Sequence, residues 1–267
     1  MPLEESPPTI TITNVTTADG AALAANSIPA FWASPHWRLE WRHRTLPYHI
    51  SQVALRYPRN LRNRATARHQ KAVDVATGKI VGYARWSLPS SYSSAWPEAV
   101  VPSASAAKEA EIIRVAEIIR VAETAVWDPD LTSDPLLDKV REVEGEILGR
   151  GVYMKLDYLA VHPDHQRQGI ATALVRSDMQ QAEKLGLDIF VHAMKPGVRV
   201  YQRLGFQMER EIIQDDSTYG GSGLFGDYFL VYEQGSKAED EGLVVCSDSI
   251  GWLEEELILR RTMSATM

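Results

Sequence analysis

The chain has 267 residues, of which 45% are hydrophobic and 24% charged, and its 35 acidic and 28 basic side chains give a formal charge of -7. This composition is typical of a folded protein with one large or two small domains, and it excludes an intrinsically disordered chain. The net negative charge argues against general binding of nucleic acid or of anionic membranes, because both would be repelled at long range.

The single cysteine, Cys246, cannot form an internal disulfide, which favours a reducing compartment. Residues 1–8 contain two glutamates and three prolines, so we expect a flexible N-terminus rather than a signal peptide. No stretch approaches the roughly 18 uncharged residues of a membrane span. The sequence therefore predicts a soluble, cytoplasmic protein without a membrane partner.

The first elements are predicted from alternation and charge. Residues 9–15 alternate in the period of a strand, and the stretch that follows, up to Pro35, predicts a helix. Residues 36–71 hold nine Arg or Lys against one acidic residue, Glu40, which indicates a helix with a solvated basic face. A docking surface for an anionic partner and ion pairing within the chain are the alternatives. Residues 72–75 and 80–86 predict a β-hairpin.

Residues 89–150 are predicted to be a helical insertion with helices at about 105–124 and 135–148. The first helix contains an exact tandem repeat, EIIRVA at 111–116 and again at 117–122. Six residues advance a helix by about 600°, so the repeat spreads Ile and Val around the helix instead of aligning them in one stripe. We expect a partner or the domain itself to cover part of this apolar surface.

The second half of the chain alternates strands and helices. The patterns predict a strand at 153–161, a helix at 165–185, a strand at 187–193, a short helix at 197–204 and a strand from Phe206. Residues 214–250 read as a loop-rich insertion, although 226–233, 242–247 and 252–261 are each possible strands. Residues 262–267 form a tail.

The turn QRQGIA at residues 166–171 joins the strand at 153–161 to its helix. A Gly and an Ala there leave consecutive backbone N–H groups exposed at a helix start, and the helix dipole makes such a position suitable for a pyrophosphate. Arg167 adds a positive charge. A glycine near a helix start is common, so the turn alone does not distinguish a phosphate site from an ordinary helix start.

The turn, the preceding LAVHP at 159–163 and the later VRVYQRLGF at 198–206 together resemble the GNAT acyltransferase superfamily, most clearly over residues 155–210. The resemblance implies a mixed α/β (α+β) single domain over residues 9–261, with a central, mostly antiparallel sheet that is splayed in the middle and flanked by helices. It also implies an N-acetyltransferase that moves an acetyl group directly from acetyl-CoA to an amine acceptor, either a small molecule or a peptide.

The resemblance places the pantetheine arm of acetyl-CoA in the gap between the strands at 153–161 and 187–193, and its pyrophosphate on the turn. The implied cofactor-binding residues are Leu159, Ala160, Val161, Gln166, Arg167, Gln168, Gly169, Ile170, Ala171 and Thr172. Met194 stands where members of the family often carry Asn or Ser, which implies that a side-chain hydrogen bond to the cofactor is missing.

Acetyl transfer to an amine needs a base, a donor for the developing oxyanion and a proton for the departing thiolate. By resemblance, the N–H of Val161 is the oxyanion donor and Tyr201 the acid; an aromatic ring packed on the sheet is the alternative for Tyr201. Asp157 is the candidate base, because the strand period places it on the face of Leu159 and of Lys155. A structural aspartate is the alternative there.

Other chemistries fit the residues less well. Cys246 lies in an acidic stretch without the positive surroundings that activate a thiolate. His162 and His165 have poor spacing for metal ligands, so no metal is predicted, and His192 is instead a candidate proton relay beside the gap. An aromatic-lined acceptor pocket is suggested by Trp32, Trp37, Trp41, Trp86 and Trp96. The alternative function is a non-catalytic CoA-binding or partner-binding module, and both a monomer and a homodimer remain open.

Overall fold

The computed structural model describes residues 9–62 and 65–235, with the backbone alone for residues 122–126. The strands are β1 (Ile10–Asn14), β2 (Ala67–Asp74), β3 (Ile80–Ser87), β4 (Tyr153–Val161), β5 (Asp188–Met194), β6 (Gln207–Asp215) and β7 (Leu224–Tyr232). The helices are α1 (Gly20–Trp32), α2 (Pro35–Arg38), α3 (Leu46–Asn60), α4 (Ala106–Val126), α5 (Pro135–Leu148), α6 (Ile170–Leu185) and α7 (Lys195–Arg203). None of these helices is long and apolar enough to cross a membrane.

The described strands form one seven-stranded sheet in the order β1-β2-β3-β4-β5-β7-β6. Each neighbouring pair is antiparallel except β4 and β5, which are parallel. A parallel pair requires a long crossover, and α6 supplies it between β4 and β5. The predicted mixed α/β fold with a mostly antiparallel sheet is therefore confirmed.

Helices cover both faces of the sheet. On one side, which we call the α6 face, Ile170 and Leu174 of α6 pack in a core with Trp86 and Met154. On the opposite side, which we call the α1 face, Leu23 of α1 packs in a second cluster with Tyr83. Further along the α1 face, α5 packs its buried residues on β5 and β7. The two faces therefore bury separate apolar clusters of the same sheet.

The basic segment 36–71 is not a single solvated helix. It contains α2, α3 and the beginning of β2, which starts at Ala67 rather than at residue 72. Arg68 is fully buried in β2. Its guanidinium donates hydrogen bonds to the carbonyl oxygens of Ala65, Ala67, Ser93 and Ala95. Burial lowers the pKa of Arg68, and the carbonyls compensate for its lost hydration.

Several other cations of the segment pair with acidic residues of the insertion. Arg44 lies 2.8 Å from Asp128, and Arg62 lies 2.7 Å from Glu109. Arg42 pairs with Asp130. Ion pairing within the chain, one of the two alternatives to a solvated face, thus accounts for much of this positive charge.

The insertion helices predicted at 105–124 and 135–148 are confirmed as α4 and α5. The segment 214–250, expected to be loop-rich, is different: residues 224–232 form β7, which lies in the sheet between β5 and β6. The β6–β7 hairpin leaves only a short turn at residues 216–223. The possible strands at 242–247 and 252–261, together with Cys246, lie outside the described residues.

Candidate active site

The centre of the sheet opens between β4 and β5. These strands pair only over residues 153–156 of β4 and 188–191 of β5. Beyond that point β4 continues beside β3 as far as Val161, and β5 continues beside β7 as far as Met194. The carboxyl halves of the two parallel strands are therefore separated by a gap, and the predicted splay is confirmed.

Backbone groups of β4 line this gap. The N–H of His162 bonds to the carbonyl of Val81 in β3 at 3.3 Å. Because successive residues of a strand direct their backbone groups to opposite sides, those of Leu159 and Val161 point away from β3 into the gap. The side-chain amide of Gln166 already donates to the carbonyl oxygen of Val161 at 3.2 Å.

Ala160 is placed differently from its two neighbours. Its backbone groups lie on the β3 side, and its carbonyl oxygen accepts a hydrogen bond of 3.3 Å from the side chain of Asn26. The Asn26 carbonyl oxygen in turn accepts from the N–H of His162 at 3.2 Å. Asn26 is buried in α1 and fixes the end of β4 at the gap, a role that the sequence pattern did not indicate.

The predicted pyrophosphate turn lies at the same end of β4. Gly169 has φ of 82° and Arg167 has φ of 61°, so the chain makes two left-handed steps before α6 begins at Ile170. Residues 166–169 are exposed. The N–H groups of residues 167–172 have no backbone partner within the described part of the chain. The turn therefore presents unpaired donors at the N-terminus of a 16-residue helix.

Tyr201 lies two turns into α7, the helix that follows β5 directly. Its ring is almost fully buried and packs edge-on against Phe206 with the ring centroids 5.6 Å apart. Gly205, with φ of 95°, lets the chain turn sharply enough to bring Phe206 back onto it. The hydroxyl has no hydrogen bond to a described residue, and burial raises the pKa of Tyr201, so the phenol is protonated at neutral pH.

Asp157 occupies a β-bulge in β4. Arg85 of β3 is paired with Tyr158 and the next residue, Trp86, with Leu156, which leaves Asp157 as the extra residue. The bulge reverses the alternation, so Asp157 lies on the α1 face whereas Leu159 packs on the α6 face. The prediction that these two residues share a face is wrong, because a period of two cannot be extended across a bulge.

The carboxylate of Asp157 belongs to an ion-pair network. It accepts a hydrogen bond from the hydroxyl of Ser87, and it lies 3.6 Å from Nε of Arg85 and 3.8 Å from Nζ of Lys155. Lys155 also pairs with Glu144 of α5. Lys155 therefore lies beside Asp157 as predicted. Its second acidic partner, Glu144, was not predicted.

His192 lies on the opposite edge of the gap. His192 comes directly after Val191, the last β5 residue that pairs with β4. By the same register, His192 lies level with Asp157 of β4. Its Nε2 is 2.9 Å from Oδ1 of Asp227 in β7, and its ring stacks on Phe229 with the ring centroids 4.9 Å apart. Asp227 was missed from the sequence because only the order of strands in the sheet, and no local pattern, brings it beside His192.

Two segments on the α1 face meet near the end of the sheet that carries β6 and β7. His36 of α2 stacks on Phe225 with the ring centroids 3.6 Å apart, and its Nδ1 lies 3.1 Å from Oδ2 of Asp216. The other oxygen of the buried Asp216 accepts the N–H of Gly223 at 2.8 Å. The N-terminal helices are thus joined to the β6–β7 turn.

The predicted aromatic-lined pocket is not formed by the five tryptophans together. Trp86 and Trp96 belong to the core on the α6 face. The ring of His49 is surrounded, at centroid distances of 4.2 to 5.9 Å, by Trp32, Trp37, Trp41 and Trp127. Burial and the charge of Arg56 lower the pKa of His49 to about 4, so a neutral imidazole fills this cluster.

Among the described residues, no group of three or more His, Cys, Asp or Glu is arranged to hold a metal ion.

Comparison with known proteins identifies related chains. Residues 138–208 match the family model for an acetyltransferase (GNAT) domain. Over 57 residues the chain is 39% identical to a mycothiol acetyltransferase of a Parafrankia species, and this match spans 21% of the chain and 18% of that enzyme.

Two solved structures align with most of the chain. A histone acetyltransferase and related acetyltransferase of Corynebacterium glutamicum has a TM-score of 0.52 and 15% identity, over 86% of this chain and 99% of that one. The ribosomal-protein-S18-alanine N-acetyltransferase of Escherichia coli has a TM-score of 0.44 and 14% identity, over 88% of this chain and 100% of that one.

The region matched by the family model includes most of α5, all of β4, the turn, α6, β5 and α7 with Tyr201. These are the elements that form both edges of the gap. Residues 138–208 therefore match a GNAT acetyltransferase domain, and the splayed sheet has the fold of the Corynebacterium glutamicum acetyltransferase.

Proposed function

We propose that the chain is an N-acetyltransferase that transfers an acetyl group from acetyl-CoA directly to an amine acceptor. The observation that carries the proposal is the gap between β4 and β5, which ends at a helix start whose backbone donors have no partner among the described residues. A gap lined by strand backbone suits an extended arm, and a helix start suits the pyrophosphate to which that arm is attached.

The turn is open enough for such a ligand. A Cβ built on Gly169 would meet no atom within 4 Å, so nothing in the described part of the chain covers the donors on that side. Residues 167–172 would hold the pyrophosphate through their N–H groups, and the exposed Arg167 would add its charge. Gln166 would act indirectly, because its side-chain amide is bonded to Val161.

Acetyl-CoA supplies an acetyl group activated as a thioester. The N–H groups of Leu159 and Val161 would hold the arm, and that of Val161 would stabilise the negative charge that develops on the acetyl oxygen. Tyr201 would donate a proton or a hydrogen bond to the departing sulfur. Its raised pKa keeps that proton in place over the whole neutral range.

Two groups are candidates for the base that receives the amine proton. Asp157 is the first residue of β4 beyond the pairing with β5, but its carboxylate is engaged by Ser87, Arg85 and Lys155. His192 is oriented by Asp227 in the way a second group orients a catalytic imidazole, and imidazole is well suited to accept a proton near neutral pH. The contact with Asp227 favours His192 as a second candidate for the base. Asp157 would then belong to the charged surroundings of His192.

The proposal is tested by measuring thiol release from acetyl-CoA with a panel of small amines, amino sugars and peptides. We expect release that depends on one class of amine and on the protein. Binding of acetyl-CoA without release for any acceptor would instead support a non-catalytic CoA-binding module. Once an acceptor is known, His192→Gln and Asp157→Asn identify the base. The variant that has lost the base should show a rate that rises with pH in proportion to the concentration of unprotonated amine.

A further inference from the structure

A cavity of about 310 Å³ lies on the α6 face, between α6 and the end of α7. The end of β7 also contributes to it, through Tyr232 and through Gln234 just beyond the strand. Tyr232 pairs with Ile189 near the amino end of β5, whereas the gap opens at the carboxyl end of that strand. The cavity therefore lies toward the opposite end of β5 from the gap.

Two arginines line the cavity, Arg176 of α6 and Arg203 of α7. Both are exposed, and neither forms an ion pair with an acidic group in the described part of the chain. The lining contains one acidic residue, Glu183, which lies seven residues, or about 10 Å, beyond Arg176 along α6. The lining thus has a net charge of +1 in a chain whose formal charge is -7.

Gln234 adds an uncharged donor to the two cations. Its side-chain nitrogen is buried and has no hydrogen bond to any residue that the structure describes. Its backbone N–H donates to a carboxylate oxygen of Asp188 at 2.8 Å, which fixes the position of the residue. A buried amide nitrogen without an acceptor lowers the stability of the fold, and an acceptor oxygen of a bound ligand would remove that cost.

The rest of the wall is largely apolar. Met179, Leu204 and Tyr232 are partly buried and pack against the core of the α6 face. The ring of Tyr232 is supported by Phe206, with the ring centroids 5.4 Å apart. The volume is at the lower end of the range of small-molecule sites. Cations, an amide donor and an aromatic wall together suit a small ligand with a planar body and an anionic group.

We propose that this cavity binds a phosphate monoester with a planar body, such as a mononucleotide. At neutral pH such a phosphate carries nearly two negative charges and three acceptor oxygens, which two guanidinium groups and an amide can satisfy. A carboxylate offers only two oxygens and one charge.

Two sources share this chemistry. One is a free mononucleotide. The other is the 3′-phosphate of CoA, which is one ribose away from the pyrophosphate, and Arg176 lies about 10 Å along α6 from Gly169 in the pyrophosphate turn. Only the second source rests on the proposed function.

Calorimetric titration of the full chain with adenosine 3′-monophosphate tests the site without requiring that acetyl-CoA binds. We expect a dissociation constant on the order of 100 µM. Arg176→Gln with Arg203→Gln should weaken binding by at least about tenfold, because two charge-assisted hydrogen bonds are lost. Gln234→Leu should also weaken it, without a change of charge. Arg38→Gln with Arg59→Gln is the matched control: both arginines are exposed, in α2 and α3, and the affinity should not change.

Titrations with CoA and dephospho-CoA identify the source. If the cavity holds the 3′-phosphate of the cofactor, CoA binds at least about tenfold more tightly than dephospho-CoA, and this difference disappears in the double variant of Arg176 and Arg203. If the source is a free mononucleotide, adenosine 3′-monophosphate still binds to the chain saturated with CoA. Binding of the mononucleotide by a chain that binds neither form of CoA would support the site and contradict the proposed function.

Two results would overturn the inference. One is affinity for adenosine 3′-monophosphate that the double variant leaves unchanged. The other is the absence of binding up to about 5 mM together with equal affinities for CoA and dephospho-CoA. Circular dichroism and thermal unfolding check that each variant is folded.

Discussion

Removing the hydroxyl of Tyr201 tests one proposed step, the donation of a proton or hydrogen bond to the departing sulfur. The hydroxyl makes no hydrogen bond with a described residue, and the ring is held by packing against Phe206, so Tyr201→Phe should fold unchanged. We expect turnover to fall by about 10² to 10⁴ with little change in acetyl-CoA affinity, because only the phenolic hydroxyl is lost.

Steady-state rates and a binding titration separate these two effects. Tyr153→Phe, at the far end of β4, is a matched control that should keep full activity. Unchanged turnover of Tyr201→Phe between pH 6 and 9 would leave Tyr201 as a packing residue, and water or His192 would have to protonate the thiolate.

Asp178 should make stability depend on pH. Its carboxyl is fully buried in α6 and accepts a hydrogen bond from the indole of Trp86, and burial raises its pKa well above the usual range. A raised folded-state pKa means that the stabilisation is complete below the unfolded pKa, near 3.9, and is lost as the pH rises through the folded value.

Asp178→Asn keeps an acceptor for Trp86 and cannot ionise. At pH 8 we expect it to be more stable than the unaltered chain by about 1–3 kcal/mol, and at pH 4 about equal to it. Thermal unfolding at the two pH values measures the difference, and Asp138→Asn on the surface of α5 is the control. An advantage that does not grow between pH 4 and pH 8 would show that burial does not hold Asp178 neutral.

Individual residues were predictable where a local motif fixes them and not where the sheet does. The turn at 166–171 is a local motif of the sequence, and Tyr201 was proposed from the resemblance to the GNAT superfamily. The face of Asp157 depends on a bulge, and the partner of His192 is 35 residues away on β7. Neither the bulge nor the His192–Asp227 contact can be recognised from the residues of the local segment alone.

At the scale of elements, the position of α6 depends on one glycine of β3. A Cβ on Gly82 would lie 2.8 Å from Cγ2 of Ile170 and 3.0 Å from Cδ1 of Leu174, and both side chains are fully buried. Gly82→Ala should therefore displace the start of α6, lower stability by about 1–3 kcal/mol and weaken acetyl-CoA binding.

Gly145→Ala in α5 is the matched control, because a Cβ there meets no atom within 4 Å. It should stabilise the chain by about 1 kcal/mol through helix propensity alone. Chemical denaturation and an acetyl-CoA titration of both variants make the comparison. If Gly82→Ala unfolds and binds like the unaltered chain, the close approach of α6 to β3 is not what positions the turn.

Elements were predicted best where the composition strongly favours a helix. The helices α4 and α5 lie within two residues of their predicted bounds. β2 begins earlier than predicted because Arg68 and His69 read as surface residues, whereas both are buried. β7 was one of three possible strands, and hydrophobic patterns cannot select among them, because what stabilises a strand is its partners.

At the scale of the whole molecule, the insertion at residues 89–150 packs against the sheet through α5. Val143 and Ile147 of α5 pack in a core with Phe190 of β5, and Glu144 pairs with Lys155 beside the gap. The sheet order, with β7 inserted between β5 and β6, was not predictable from the sequence, because strand order depends on pairings between distant segments.

The central claim is that acetyl-CoA binds at the turn between β4 and α6, and calorimetry of three chains tests it most directly. Gly169 and Gly78 both have positive φ, 82° and 68°, and both face open space, so replacing either by Trp imposes a similar backbone strain. Only the indole at residue 169 would cover the N–H donors of the turn. We predict dissociation constants on the order of 10 µM for the unaltered chain and for Gly78→Trp, and no measurable binding for Gly169→Trp. Equal affinity of Gly169→Trp and the unaltered chain would contradict the account.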